Sequence, residues 1–263
     1  MYEELYAPLP DSGRYLERIA WEGVVRQSQE TLDKLVFAHQ KAVPFENYDI
    51  CELGRPISLE IPKLYDKIAV NRRGGYCFEL NAGFAALLAA LGFEVWPILA
   101  RIYRGAFGEQ PMPPMHRVNL VCMGGEKYFT DVGFGGSMPA GSLVLKEDVI
   151  QEVWGLRYCF ERRPHHRWTL FRETSEKVRE AMIGFTEVPS EPVDFITPNY
   201  HTSTHPDSLF VRSRMANIRF DDGFASINGE KFHVVRGGNE ETIEIQSKEQ
   251  ESDLLKKYFG IIF

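Results

Sequence analysis

The chain has 263 residues, 44% of them hydrophobic and 13% aromatic, with a formal net charge of -7. This is enough apolar material for a well-buried core, in one domain or in two to three small subdomains. The acidic total argues against broad binding to nucleic acid or to an anionic membrane, and the longest apolar run, Phe84–Leu91, is far short of the ~20 residues a transmembrane helix needs.

The start of the chain, Met1-Tyr2-Glu3-Glu4-Leu5, is acidic and lacks the basic and apolar regions of a signal peptide. A cytoplasmic protein is expected. From about Asp11 to Leu91 the periodicity is helical. Leu32, Leu35, Val36 and His39 recur at i, i+3, i+4 and i+7, and Pro44 ends that helix. Ser58 reads as the N-cap of a helix carrying Ile61, Leu64, Tyr65 and Ile68. A third helix starts near Cys77 and stops at Gly92.

From Phe93 to Phe185 the pattern changes to short β-branched and aromatic runs. Val95–Ile102, Val118–Met123, Lys127–Val132, Leu156–Glu161 and Trp168–Phe171 read as strands, with a hairpin turn at Gly124-Gly125. Successive strands with glycine turns suggest an antiparallel sheet curled into a small barrel. In the last third, Pro192–Tyr200 reads as a helix. Asn217–Phe220, Gly223–Ile227 and Lys231–Val235 read as strands, with Asn228-Gly229 as a turn, and Ser247–Phe259 reads as a terminal amphipathic helix. Pro111–Pro114 and Pro189–Pro198 read as irregular loops.

The most informative stretch is Arg73-Gly74-Gly75-Tyr76-Cys77-Phe78-Glu79-Leu80-Asn81. It sets a cysteine at a helix start, where the helix dipole and free N–H groups favour thiolate over thiol. The two glycines are expected to turn the backbone and to leave space beside the sulfur. His116 stands before Arg117-Val118-Asn119-Leu120-Val121, and Asp131 opens Asp131-Val132-Gly133-Phe134-Gly135. Cysteine, histidine and carboxylate form the pattern of an activated nucleophile. Spacing alone leaves open whether the three meet, although a turn at Gly124-Gly125 permits His116 and Asp131 to lie on neighbouring strands. The other cysteines, Cys51, Cys122 and Cys159, read as small buried side chains; no Cys-x-x-Cys spacing occurs and no metal set is expected.

These residues also carry a resemblance. With Pro44-Phe45-Glu46-Asn47-Tyr48 and Asn199-Tyr200-His201-Thr202-Ser203-Thr204-His205-Pro206, the five motifs make the chain resemble an arylamine N-acetyltransferase of the bacterial type along nearly its whole length. The resemblance implies an α+β fold: a helical domain (residues 1–92) carrying the nucleophile, a β-barrel domain (93–188) carrying the histidine and aspartate, and an α/β lid (189–263). It implies a cysteine-proteinase-like triad of Cys77, His116 and Asp131. Phe45 and Phe134 match aromatics that line the acceptor pocket, and Arg73 and Glu46 match a charged pair that supports the site. Acetyl-CoA would be the acyl donor, and an arylamine, arylhydroxylamine or hydrazine the acceptor, in a ping-pong reaction. Gly133 and Gly135 would let the pantetheine arm lie along the backbone, and Thr202 and Ser203 are candidates for CoA contacts. The segment before His116 varies in the family, which leaves substrate preference open. The alternatives are an amide synthase closing a polyketide ring on the same fold, a cysteine hydrolase or transglutaminase-like enzyme, and a non-enzymatic CoA-binding protein. An oligomer is compatible with all of them.

Overall fold

The structure, a computed structural model, describes residues 2–103, 112–136, 138–174, 176 and 178–262. Of the loop expected at Pro111–Pro114, the first residue lies outside these. Helices dominate the first third. α1 (Ser12–Arg18) begins where Asp11 accepts the Arg14 N–H, and α2 (Gln29–Ala42) where Ser28 accepts that of Thr31. A two-residue strand, β1 (Phe45–Glu46), leads into α3 (Tyr48–Cys51). The next helix, α4 (Ile61–Tyr65), is capped at Glu60 and not at Ser58. Ser58 instead accepts the Glu60 N–H, a local turn that sets up the helix two residues later. A wider π turn, Asp66–Val70, extends α4 and carries Ile68 into the core.

The central helix, α5 (Cys77–Ala90), is buried on nearly every side. Such a helix shows no clear polar face because it has no solvent face to supply. Its apolar residues pack with those of α1, α2 and α4 in the first of four core clusters.

The second third is an antiparallel sheet of eight strands: β2 (Glu94–Ile102), β3 (His116–Met123), β4 (Glu126–Thr130), β5 (Leu143–Val144), β6 (Gln151–Val153), β7 (Leu156–Arg163), β8 (Arg167–Glu173) and β9 (Arg179–Thr186). Their spatial order is β5-β4-β3-β2-β9-β8-β7-β6. The sheet is a nearly closed barrel. Its two edge strands are joined by the Gln151 amide, which donates to Val144 O (2.9 Å) and accepts from Val144 N (2.7 Å). Ile98, Val118, Leu120, Phe129, Phe160 and Leu170 fill the interior. Gly124 and Gly125, at φ +58° and +80°, make the expected hairpin turn. β9 was not among the strands expected from the sequence. Gly184 is there to admit the Tyr103 ring: a Cβ would lie 2.8 Å from it.

After a 3-10 turn at Pro192–Phe195 come α6 (Ile196–Thr204) and α7 (Leu209–Arg212), so the helix expected over Pro192–Tyr200 forms, and the irregular loop expected to reach Pro198 stops before Pro192. A second sheet follows: β10 (Met215–Phe220), β11 (Gly223–Asn228), β12 (Lys231–Arg236) and β13 (Asn239–Glu244). Asn228 pairs with Lys231, which makes Gly229-Glu230 the two-residue turn and returns Asn228 to the strand. The polar β13 is an edge strand, which accounts for its lack of an apolar pattern. Finally α8 (Lys248–Leu254), capped by Ser247, and the π turn that continues it, Leu255–Phe259, pack Leu254, Leu255 and Phe259 against this sheet. β1 joins the same sheet, pairing Phe45 with Asn217 and Glu46 with Ala216. That pairing ties the last third of the chain to the segment beside Cys77.

Candidate active site

Cys77 is the first residue of α5 and is 3% exposed. Glu79 folds back to accept the Tyr76 N–H (3.1 Å), which satisfies an orphan donor of the helix start from within the first turn. Gly74 and Gly75 do not open space beside the sulfur. A Cβ on Gly74 would overlap the Pro44 carbonyl, and one on Gly75 would lie 2.7 Å from the Glu79 carboxylate. The glycines let this segment pack flat against β1, where Glu46 N–H donates to Gly75 O (2.8 Å).

Beneath the segment lies a charged network. Arg73 donates to Glu46 (2.8 Å) and Asp49 (3.3 Å), while Lys67 bridges Asp49 and Glu79 (2.7 Å each). Burial alone would raise the Asp49 proton affinity, but Lys67 and Arg73 outweigh it and hold the carboxyl below its ordinary range. Glu79 is raised, because its burial exceeds the help of Lys67. The Arg73–Glu46 pair thus clamps the segment that precedes the nucleophile to β1.

His116 opens β3 and is 1% exposed. Its Nε2 donates to Asp131 Oδ2 at 2.6 Å. Asn119 pairs with Thr130 across β3 and β4, so Asp131 follows the last ladder residue and reaches diagonally to His116. The expected Lys127–Val132 strand stops at Thr130, since Asn81 takes over as partner. It accepts the Val132 N–H (3.0 Å) and donates to Asp131 Oδ1 (2.8 Å) and to Arg117 O (2.6 Å). The Gly133 N–H also donates to Asp131 Oδ1 (2.8 Å). Burial by itself would lower the basicity of His116. Asp131 and the neighbouring Cys77 thiol reverse this and raise it to about 10. The other ring nitrogen, Nδ1, is buried without a hydrogen-bond partner and is the one available to the thiol.

Cys77 and His116 line a cleft of about 590 Å³, with Asp131 buried behind the histidine. Phe45, Met115, Phe134, Phe210, Met215 and Ile227 supply apolar walls; Ser213, Asn217, Ser226 and Asn228 supply polar ones. None of the described lining residues is Lys, Arg, Asp or Glu. The Phe134 ring stands edge-on to His116, with centroids 5.7 Å apart. Gly133 and Gly135 both line the cleft. Gly133 is glycine because α5 fills its place: a Cβ would lie 2.7 Å from Cys77 Cα. Gly135 adopts φ +75°. Thr202 and Ser203 stand apart from the cleft. Thr202 is turned to Met115 Sδ (3.8 Å), and Ser203 donates to Asn199 O (2.8 Å) within its own helix. Asn81 and Phe210 were given no role from sequence. Asn81 had a signal, a buried amide one turn after Cys77 in an apolar helix. Phe210 had none, because only folding brings α7 to the cleft.

The chain matches the N-acetyltransferase family model over residues 28–263. It is 33% identical over 257 residues to the arylamine N-acetyltransferase of Mycobacterium tuberculosis, covering 95% of this chain and 89% of that one. It is 29% identical to a Salmonella typhimurium protein named arylamine N-acetyltransferase / N-hydroxyarylamine O-acetyltransferase, over 94% of this chain and 87% of that one. Among solved structures, the Mycobacterium marinum arylamine N-acetyltransferase in complex with CoA superimposes with a TM-score of 0.87 at 31% identity, covering 95% and 93% of the two chains. The fold is thus that of an acyltransferase with mixed helix and sheet. The chain belongs to the arylamine N-acetyltransferase family.

Proposed function

We propose that this enzyme moves an acetyl group from acetyl-CoA, through a thioester on Cys77, to an arylamine, arylhydroxylamine or hydrazine. The observation that carries this reading is the buried His116–Asp131 pair standing beside a cysteine at a helix N-terminus, on the floor of an aromatic cleft. The arrangement is a cysteine-proteinase-like core spread over a helical segment (1–92) and a barrel segment (93–188), with residues 189–263 as lid.

In this reading His116, whose basicity is raised chiefly by Asp131, takes the Cys77 proton and leaves a thiolate–imidazolium pair. The thiolate attacks the thioester carbonyl carbon. Backbone N–H groups near Cys77, at the start of α5, are the candidates to receive the oxyanion. The carbon–sulfur bond to CoA breaks, and His116 gives its proton to the departing sulfur. Acylation removes the thiolate charge, one of the causes that raise the basicity of His116, so the proton leaves more readily at this step. The amine then attacks the acetyl-cysteine carbonyl, His116 takes its proton, and the Cys77 thiolate is released.

Apart from the Cys77–His116 pair, the described lining carries no Lys, Arg, Asp or Glu, which suits an amine that is uncharged at pH 7, as arylamines are. Phe45 and Phe134 offer ring contacts worth ~0.5–1.5 kcal/mol per pair beyond area burial. Among the described lining residues no Lys or Arg is present to pair with the CoA phosphates, which favours their lying outside the cleft. The CoA complex of the Mycobacterium marinum relative and the double name of the Salmonella typhimurium relative support donor and acceptor classes.

Intact-mass analysis after mixing with acetyl-CoA tests the reading. One acetyl group is expected on Cys77, transferred on addition of an arylamine, and none in Cys77→Ala. Peptide or amide hydrolysis without an acetyl-enzyme would instead favour a cysteine hydrolase.

A further inference from the structure

Arg117 follows His116 in β3, and strand alternation turns its side chain to the opposite face of the sheet. It is 5% exposed there, with its guanidinium 4.5 Å from the ring centroid of Phe195. Phe195 packs on Phe78, the residue after Cys77, with centroids 6.2 Å apart. Cys77, Phe78 and Phe195 share one buried cluster. Among the described residues no carboxylate pairs with Arg117, and its Nε is buried without a hydrogen-bond partner.

A buried cation without an anion is costly. Burial lowers the proton affinity of Arg117 to about 9, and the Cys77 thiol is the group that works against this. The charges of the site explain the arrangement. A Cys77 thiolate, a His116 imidazolium and an Asp131 carboxylate sum to one negative charge in a buried region. One fixed positive charge brings the set to neutrality. The other titratable groups around Cys77 do not supply it: Tyr76 is neutral and bonded to Asn199, and Glu79 is an acid held by Lys67 and the Tyr76 N–H.

We propose that Arg117 is a positioning residue that supplies the fixed counter-charge of the Cys77 thiolate, placed behind the nucleophile on the face of β3 opposite His116. The proposal rests on the reading of Cys77 as an activated nucleophile. It assigns Arg117 no contact with either substrate. Its charge persists after acylation, so it also favours the oxyanion of both tetrahedral intermediates.

The test is alkylation of Cys77 by iodoacetamide, followed by intact mass between about pH 5 and about pH 10, without acetyl-CoA. Arg117→Met and Arg117→Gln are expected to raise the midpoint of the profile by about one pH unit or more, whereas Arg117→Lys, which keeps the charge, stays within about half a unit. A purely structural role would move stability in all three and leave the midpoint alone. Superposition of the uncharged variants on the parent profile overturns the proposal, as does a lysine variant displaced as far as methionine. If neither uncharged variant folds, the same changes are made with Cys77→Ser, where no thiolate needs balancing. Recovery of a folded chain there supports the assignment, and continued failure overturns it. A parent midpoint as high as that of a free cysteine would sink the nucleophile reading itself, an outcome distinct from failure of Arg117 alone.

Discussion

Asn81 stands one turn after Cys77 on α5 and donates a 2.8 Å hydrogen bond to Asp131 Oδ1, while Asp131 Oδ2 accepts from His116. One helix therefore carries both the thiol and the clamp on the carboxylate that orients the thiol's base. The clamp is completed by bonds from Asn81 to Arg117 O (2.6 Å) and from the Val132 N–H to Asn81 (3.0 Å).

Replacing Asn81 by alanine releases Asp131 and the end of β4 together. A hydrogen bond to a charged group contributes about 1.5–3 kcal/mol, so acetyl-enzyme formation is expected to slow roughly 10–100-fold. Stopped-flow mixing with acetyl-CoA measures it. A variant that unfolds more easily but acylates at the parent rate would show that Asn81 serves only the fold.

The His116–Asp131 pair makes stability depend on pH. The ring titrates near 6.5 when unfolded and at about 10 when folded. A raised folded value means the contribution is fully present below about pH 6.5 and is lost as pH rises toward about 10. The thermal midpoint is therefore expected to fall across that window. In Asp131→Asn the slope should flatten, and turnover should drop by up to about 10⁴-fold, the loss seen when a triad carboxylate becomes an amide. A slope in that variant equal to the parent's would refute the attribution.

Glu46→Gln removes the 2.8 Å ion pair of the Arg73 guanidinium and leaves its longer, 3.3 Å contact with Asp49. Breaking a buried pair costs about 3–5 kcal/mol, and the surviving partner places this variant toward the lower end. Equilibrium unfolding in urea gives the number. A loss within error of zero would mean that the clamp on the Cys77 segment contributes nothing to stability.

Gly133→Ala sets a Cβ 2.7 Å from Cys77 Cα and 2.8 Å from Asn81 Nδ2. Overpacking of this kind costs about 1–3 kcal/mol. Because the displaced atoms belong to the nucleophile and to the clamp on Asp131, the rate of Cys77 acylation is expected to fall further than the stability loss would require. Comparing acylation of the fully folded variant with that of the parent separates the two.

Residues close in the chain announced the elements well. The 3.6-residue spacing of Leu32, Leu35, Val36 and His39 marks the buried stripe of α2, and Gly124-Gly125 marks its hairpin, because only glycine adopts two successive positive φ angles cheaply. Capping was harder to place. Ser58 looked like a cap and is a turn former two residues early, and β9, in which Gly184 is a seat for Tyr103, was not expected.

By itself, the order of residues determined that a cysteine would open an apolar helix and that a histidine and an aspartate would flank a glycine hairpin, since these depend on local backbone preference and period. Only folding decided that Gly74, Gly75 and Gly133 are glycines for close packing and not for open space, that Asn81 grips Asp131, and that Phe210 walls the cleft. Those outcomes depend on atoms dozens of positions apart meeting at contact distance, and no local propensity encodes such a meeting. It also placed Arg117 against Phe195, a member of the cluster that holds Cys77, a juxtaposition visible only once β3, α5 and the 192–195 turn come together.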